Sequence, residues 1–258
     1  MRRLSSGLFA LIGLVALFSL SAWADDRDSC NKFTGDDSIA ACTRLIASKE
    51  LQGGDLAQAY RSRALNYTLF KGDYDRAIAD FTESIRLDPN NPVARAVRGA
   101  SFVRKGDYDR ALTDLNEALR LDPKNASVHN AFGVYYNAKG DHDRALAALN
   151  EAIRLNPRFL YGYKNRGVAH ENRGDLNKAL SDFRVALSID PDKKQTGGQE
   201  AAEGIQRVEQ KLAAIGGADW LTCSAAPNRE EGIAACTGLI AANKLSSSDL
   251  AQVYVWRL

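Results

Sequence analysis

Four copies of one phrase recur every 34 residues: KGDYDRA at Lys71–Ala77, KGDYDRA at Lys105–Ala111, KGDHDRA at Lys139–Ala145 and RGDLNKA at Arg173–Ala179. A second phrase keeps the same interval, LDPN from Leu87, LDPK from Leu121, LNPR from Leu155 and IDPD from Ile189. A fixed period in this range marks stacked supersecondary units, each burying its apolar face only against its neighbours. Such a chain offers an extended surface and not a single catalytic pocket.

Each unit is punctuated as an antiparallel helix pair. In Pro92–Asn125 the first helical stretch, Val93–Lys105, carries Ala96, Gly99, Ala100 and Val103. Gly106 suits a helix C-cap, and Asp107 can cap the next helix. The second stretch, Tyr108–Leu121, spaces Tyr108, Ala111, Leu112, Leu115, Ala118 and Leu119 three and four apart, one apolar helix face. Asp122-Pro123 ends it, since proline disfavours helix in the residue before it.

These residues resemble the tetratricopeptide repeat (TPR) family, over residues 58–193 in four repeats (58–91, 92–125, 126–159 and 160–193). Repeat two supplies Gly99, Phe102, Ala111, Leu115, Ala118 and Pro123; repeat three supplies Gly133, Tyr136, Ala145, Leu149, Ala152 and Pro157. Repeat four supplies Gly167, Ala179, Phe183, Ala186 and Pro191, with His170 at the aromatic position. In repeat one Leu65 falls at the glycine position and Thr68 at the aromatic one, while Ala77, Phe81 and Pro89 remain. The resemblance implies an all-α, right-handed α-solenoid of four helix pairs, here flanked by cysteine-bearing helical modules.

The ends of the chain add three features. Residues 1–24 read as a signal peptide, with Arg2-Arg3, an apolar run Leu8–Leu20 and a small-x-small site at Ala22-Trp23-Ala24. The run is too short to span a bilayer, so no stable membrane span is expected after its removal, and the protein is expected in the periplasm or outside the cell. Gln199–Ile215 reads as an amphipathic capping helix within residues 194–215, preceded by a hinge at Thr196-Gly197-Gly198. The segment Ile39–Ala47 recurs at Ile233–Ala241, and Asp55–Tyr60 at Asp249–Tyr254, both offset by 194. Residues 216–258 therefore read as an incomplete second copy of an N-terminal cysteine module spanning 25–57. This arrangement resembles exported bacterial TPR proteins.

The four cysteines, Cys30, Cys42, Cys223 and Cys236, lie outside the repeats. In an exported chain an even number suggests disulfides, and four cysteines permit three pairings. Local pairing, Cys30 with Cys42 and Cys223 with Cys236, is favoured because a rigid array separates the two pairs. A metal site is disfavoured, because no histidine lies near either pair and the spacings are not C-x2-C.

Removal of the signal takes away two arginines and no acids, which leaves 32 basic and 32 acidic residues. A neutral surface argues against nucleic acid, which needs a basic stripe. No phosphate loop or H-E-x-x-H is present. His129, His142 and His170 sit in different repeats, as packing or turn residues. The reading is non-enzymatic, with no cofactor and no catalytic residue.

In the resembled family ligands lie along a concave face lined by the first helices. Here that stripe offers Asn66, Phe70, Arg104, Asn130, Asn137, Tyr161 and Lys164 to a protein or peptide, the asparagines being able both to donate and to accept. A carboxylate clamp is not supported, since Ser62, Val97, Ser127 and Ala131 stand where it needs other polar or basic groups. Arg98 with Asp114 and Arg166 with Asp182, each 16 apart, are expected to bridge the two helices of their repeats. The alternative reading is a structural or assembly subunit, or a truncated tandem protein, whose apolar segment Leu250–Leu258 forms a homo-oligomer interface.

Overall fold

The computed structural model describes residues 25–32, 35–192 and 195–216, and every element among them is helical. The expected signal peptide, Cys223, Cys236 and Leu250–Leu258 lie outside the described residues. The chain divides into two compact units after Pro123.

Unit one contains a helical segment over 25–30, α1 (Asp36–Ser48), α2 (Gly53–Asn66), a π turn (Tyr67–Lys71), α3 (Tyr74–Leu87), α4 (Pro92–Arg104) and α5 (Tyr108–Leu121). Unit two contains α6 (Ala126–Ala138), α7 (His142–Leu155), α8 (Leu160–Arg173), α9 (Leu176–Ile189) and α10 (Thr196–Gly216). Helices pair as α2–α3, α4–α5, α6–α7 and α8–α9, and α10 packs on both α8 and α9. No helix among the described residues is long and apolar enough to cross a membrane.

The recurring KGD phrase builds the turn inside each pair. Its glycines, Gly72, Gly106, Gly140 and Gly174, all have φ between 60° and 90°, where a Cβ would be strained. The aspartates of the first three copies then cap the second helix: the carboxylates of Asp73, Asp107 and Asp141 accept the backbone N–H of Arg76, Arg110 and Arg144 at 3.0, 3.2 and 3.0 Å.

Between paired helices small residues face large ones. Ala77, Phe81 and Ile85 of α3 pack with Ala64 and Tyr67, and Phe183 of α9 is fully buried against α8 and α10. The expected ion pairs form inside this packing. Arg98 donates to both oxygens of Asp114 at 2.7 Å, and Arg166 to those of Asp182 at 2.8 and 2.7 Å, with the aspartate side chains only 6% and 7% exposed.

The first repeat corrects the sequence register. Its ion pair is Arg63 with Asp80, 17 apart, at 2.7 and 2.8 Å. Ala64, not Leu65, is the small fully buried residue, and Tyr67, not Thr68, carries the stacked arginine. The cause is the π turn, which inserts one residue before Gly72 and shifts everything N-terminal to it. The expected hinge at Thr196-Gly197-Gly198 is also corrected. These residues open α10, and the two glycines' missing side chains permit close approach. A Cβ on Gly197 would lie 2.1 Å from the Leu160 side chain, and one on Gly198 would lie 2.4 Å from the Asp190 carboxylate.

Cys30 and Cys42 form a disulfide, as local pairing requires, with Cα atoms 4.7 Å apart. It sits in a buried cluster with Ala41, Leu45, Leu51 and Ala59, which fixes the 25–30 segment and α1 onto α2.

Candidate functional site

The expected wall draws on the first helix of each pair, unit by unit. In unit one α2 with its π turn and α4 supply it. Phe70, on the π turn, is 38% exposed, the one large apolar side chain so exposed among the described residues. A Cβ on Gly35, which precedes α1, would meet its ring at 3.7 Å. Arg104, the last residue of α4, is exposed.

Asn66 is a correction. It is fully buried and is not a groove residue. Its Oδ1 accepts the Gly35 N–H at 3.1 Å, and its Nδ2 donates to the Ser62 carbonyl at 2.9 Å. Asn66, which the π turn displaces, and Lys71, which pairs with Asp36, hold the N-terminal module in place.

In unit two the wall is laced by side chains about one repeat apart. Asn165 donates to Asn130 at 2.8 Å, and Asn172 donates to Asn137 at 3.2 Å. Asn137 Oδ1 also lies 3.0 Å from His142 Nδ1. Each asparagine pair joins α6 to α8 and uses one donor and one acceptor. The Nδ2 of Asn130 and the Oδ1 of Asn165 retain bonding capacity for a ligand.

Tyr161 and Lys164 are further corrections, because α10 lies over them. Tyr161 is half-buried, with its hydroxyl 3.3 Å from Thr196 Oγ1, and burial pushes its phenol above the ordinary range. Lys164 is buried and donates to Glu200 at 2.6 Å. Further along, Glu171 receives Arg207 at 2.8 and 2.9 Å and Lys211 at 2.6 Å. Burial pushes the Glu171 carboxyl up, but the two cations outweigh it and hold it below its usual range. The cap thus occupies the α8 end of the wall. In sequence the cap shows only as an amphipathic helix, and nothing there marks the residues that Glu200, Arg207 and Lys211 meet.

Of the expected wall residues, Phe70 and Arg104 stand exposed in unit one, and Asn130 and Asn137 stand half-buried and joined to α8 in unit two. Among the described residues no group of His, Cys, Asp and Glu could hold a metal ion.

Family models match three stretches: a TPR repeat over residues 99–138, and a tetratricopeptide repeat over 57–91 and again over 130–194. No curated protein matches. Among known structures, TTC0263, a thermophilic TPR protein of Thermus thermophilus, is 20% identical. It covers 74% of this chain and 95% of its own, with a TM-score of 0.55. The first TPR domain of human RPAP3 is 23% identical, covers 49% of this chain and 95% of its own, and has a TM-score of 0.43. The first of these likenesses supports the fold.

Proposed function

Because the chain belongs to the tetratricopeptide repeat family, we propose that it is a non-enzymatic scaffold that binds a protein or peptide on its first-helix walls. The observation that carries this reading is the pair of carboxamide bridges from α6 to α8, Asn130–Asn165 and Asn137–Asn172. Bridged amides are held in place by each other and keep a donor and an acceptor for the backbone of an extended ligand. In unit one the exposed Phe70 ring and Arg104 guanidinium offer an apolar and a cationic contact.

The site of action is the cell envelope or the exterior. Two features support this: the leader-like residues 1–24 and the Cys30–Cys42 disulfide, a bond that persists in oxidising compartments. Mass determination of the protein from a periplasmic fraction tests it. A mature N-terminus at Asp25 is expected, and an intact chain recovered from the cytosol overturns it.

Selection of peptides from a random displayed library against the purified chain tests the binding reading. Asn130→Leu and Asn137→Leu should each weaken a selected peptide about tenfold, the loss of one desolvated hydrogen bond. Arg120→Ala and Arg154→Ala, on the second helices, should leave it unchanged. Peptides indifferent to the asparagine variants refute the assignment.

A further inference from the structure

In the first three repeats the aromatic position of the first helix holds Tyr67, Phe102 and Tyr136. Each ring carries an arginine over its face, Arg76, Arg110 and Arg144, at 4.5, 4.6 and 4.8 Å from the centroid. Repeat four holds His170 there, and Lys178 takes the arginine's place. The neighbouring cap changes with them. The Asp175 side chain makes no cap bond to α9, unlike its three counterparts, and lies 3.5 Å from His170 Nδ1.

The imidazole is only 13% exposed, and Nδ1 has no hydrogen-bond partner. Nε2 is 3.9 Å from Asp182. The charged groups around it come from three helices. Its own helix, α8, contributes Arg166 and Arg173; α9 with its N-cap residue contributes Asp175, Lys178 and Asp182; and α7 contributes Asp143, which receives Arg173. Toward α10, Arg207 and Lys211 are held by Glu171. Arg166 engages both oxygens of Asp182, and Arg173 engages Asp175. Three cations and three carboxylates are therefore already balanced while the imidazole is neutral.

We propose that His170 is a pH-sensitive joint in repeat four: its protonation adds an unbalanced charge between α8 and α9 and loosens that helix pair. Burial lowers the imidazole's proton affinity by more than Asp182 and Asp175 raise it, and Arg166 opposes protonation as well. The folded value therefore lies below the unfolded one, about 6.5. Between those two values the unfolded chain binds more protons. The joint's stability is full above pH ~6.5 and is lost as pH falls toward the folded pKa. The inference does not depend on what the wall binds.

Two measurements on the full chain test it. Urea unfolding of wild type and His170→Phe, a side chain that Phe102 shows the position accepts, is followed from pH 7.5 to pH 5.0. The wild-type folding constant should fall up to tenfold more per pH unit than that of the variant within the window. Imidazole NMR titration, with the His170 signal assigned by its loss in His170→Phe, should place His170 below the unfolded value of about 6.5. A His170 that titrates at or above that unfolded value, or a variant that keeps the wild-type acid slope, overturns the proposal.

Discussion

Gly→Ala substitutions at one repeat position should split by how much room the facing side chain can give. Gly99, Gly133 and Gly167 lie 34 apart, each mid-helix and facing the second helix of its pair. In an open helix the change gains about 1 kcal/mol of propensity. A Cβ on Gly133 would meet Leu149 Cγ at 2.4 Å and Cδ2 at 2.7 Å, and Leu149 is 0% exposed. A branch carbon inside a full core cannot step aside cheaply, so overpacking costs about 1–3 kcal/mol. On Gly167 the Cβ would meet the Phe183 ring at 2.8 Å, and a Cβ on Gly204 of α10 would meet the same ring at the same distance, so the ring has glycines against it from two helices. On Gly99 the nearest atoms are Leu115 Cδ2 and Cγ at 3.1 Å, a gap that a few tenths of an ångström relieves. Gly133→Ala and Gly167→Ala should therefore each lose about 1–2 kcal/mol net, and Gly99→Ala should stay within about 0.5 kcal/mol of wild type. Urea unfolding followed by far-UV circular dichroism, at constant m, reads these differences as midpoint shifts. A Gly133→Ala protein as stable as wild type, or Gly99→Ala as the worst of the three, refutes the packing argument.

Arg98→Ala should cost about 3 kcal/mol by leaving the buried Asp114 unpaired, and Arg63→Ala should behave alike despite its different spacing; additive melting of Arg98→Ala with Asp114→Ala counts against the pairing. Reduction of Cys30–Cys42 should remove about 3 kcal/mol from the module around α1, seen as faster hydrogen exchange in α1 with α9 unchanged. Glu171 has a lowered carboxyl pKa, so its stabilisation of α10 is full above pH ~4.5 and lost as pH falls toward the folded value. Exchange in α10 should accelerate between pH 5 and pH 3 more in wild type than in Glu171→Gln, and equal acceleration contradicts the assignment.

The helix pairs and the inter-helix ion pairs of repeats two and four were legible because a 34-residue period repeats both the punctuation and the partners. Repeat one was misread by a single position. A π turn leaves no mark in residue type, and only the displaced partners, Arg63 with Asp80 and Tyr67 with Arg76, show where the extra residue sits. The wall was half legible. Periodicity places a residue on a stripe but does not say what lies over it, so Asn66 proved to be buried against the N-terminal module, and Tyr161 and Lys164 against the cap. In sequence Gly197 and Gly198 read as a hinge, whereas their lack of side chains serves close helix packing.

Photo-crosslinking in living cells tests the binding wall most directly. A photoreactive residue is placed in turn at Phe70, Arg104 and Asn137 on the first helices, and at Arg120 and Arg154 on the second helices. The account predicts discrete protein adducts from the first-helix positions, competed away by a peptide selected against the purified chain, and none from the other two. Adducts confined to Arg120 and Arg154, or spread evenly over all five positions, contradict it.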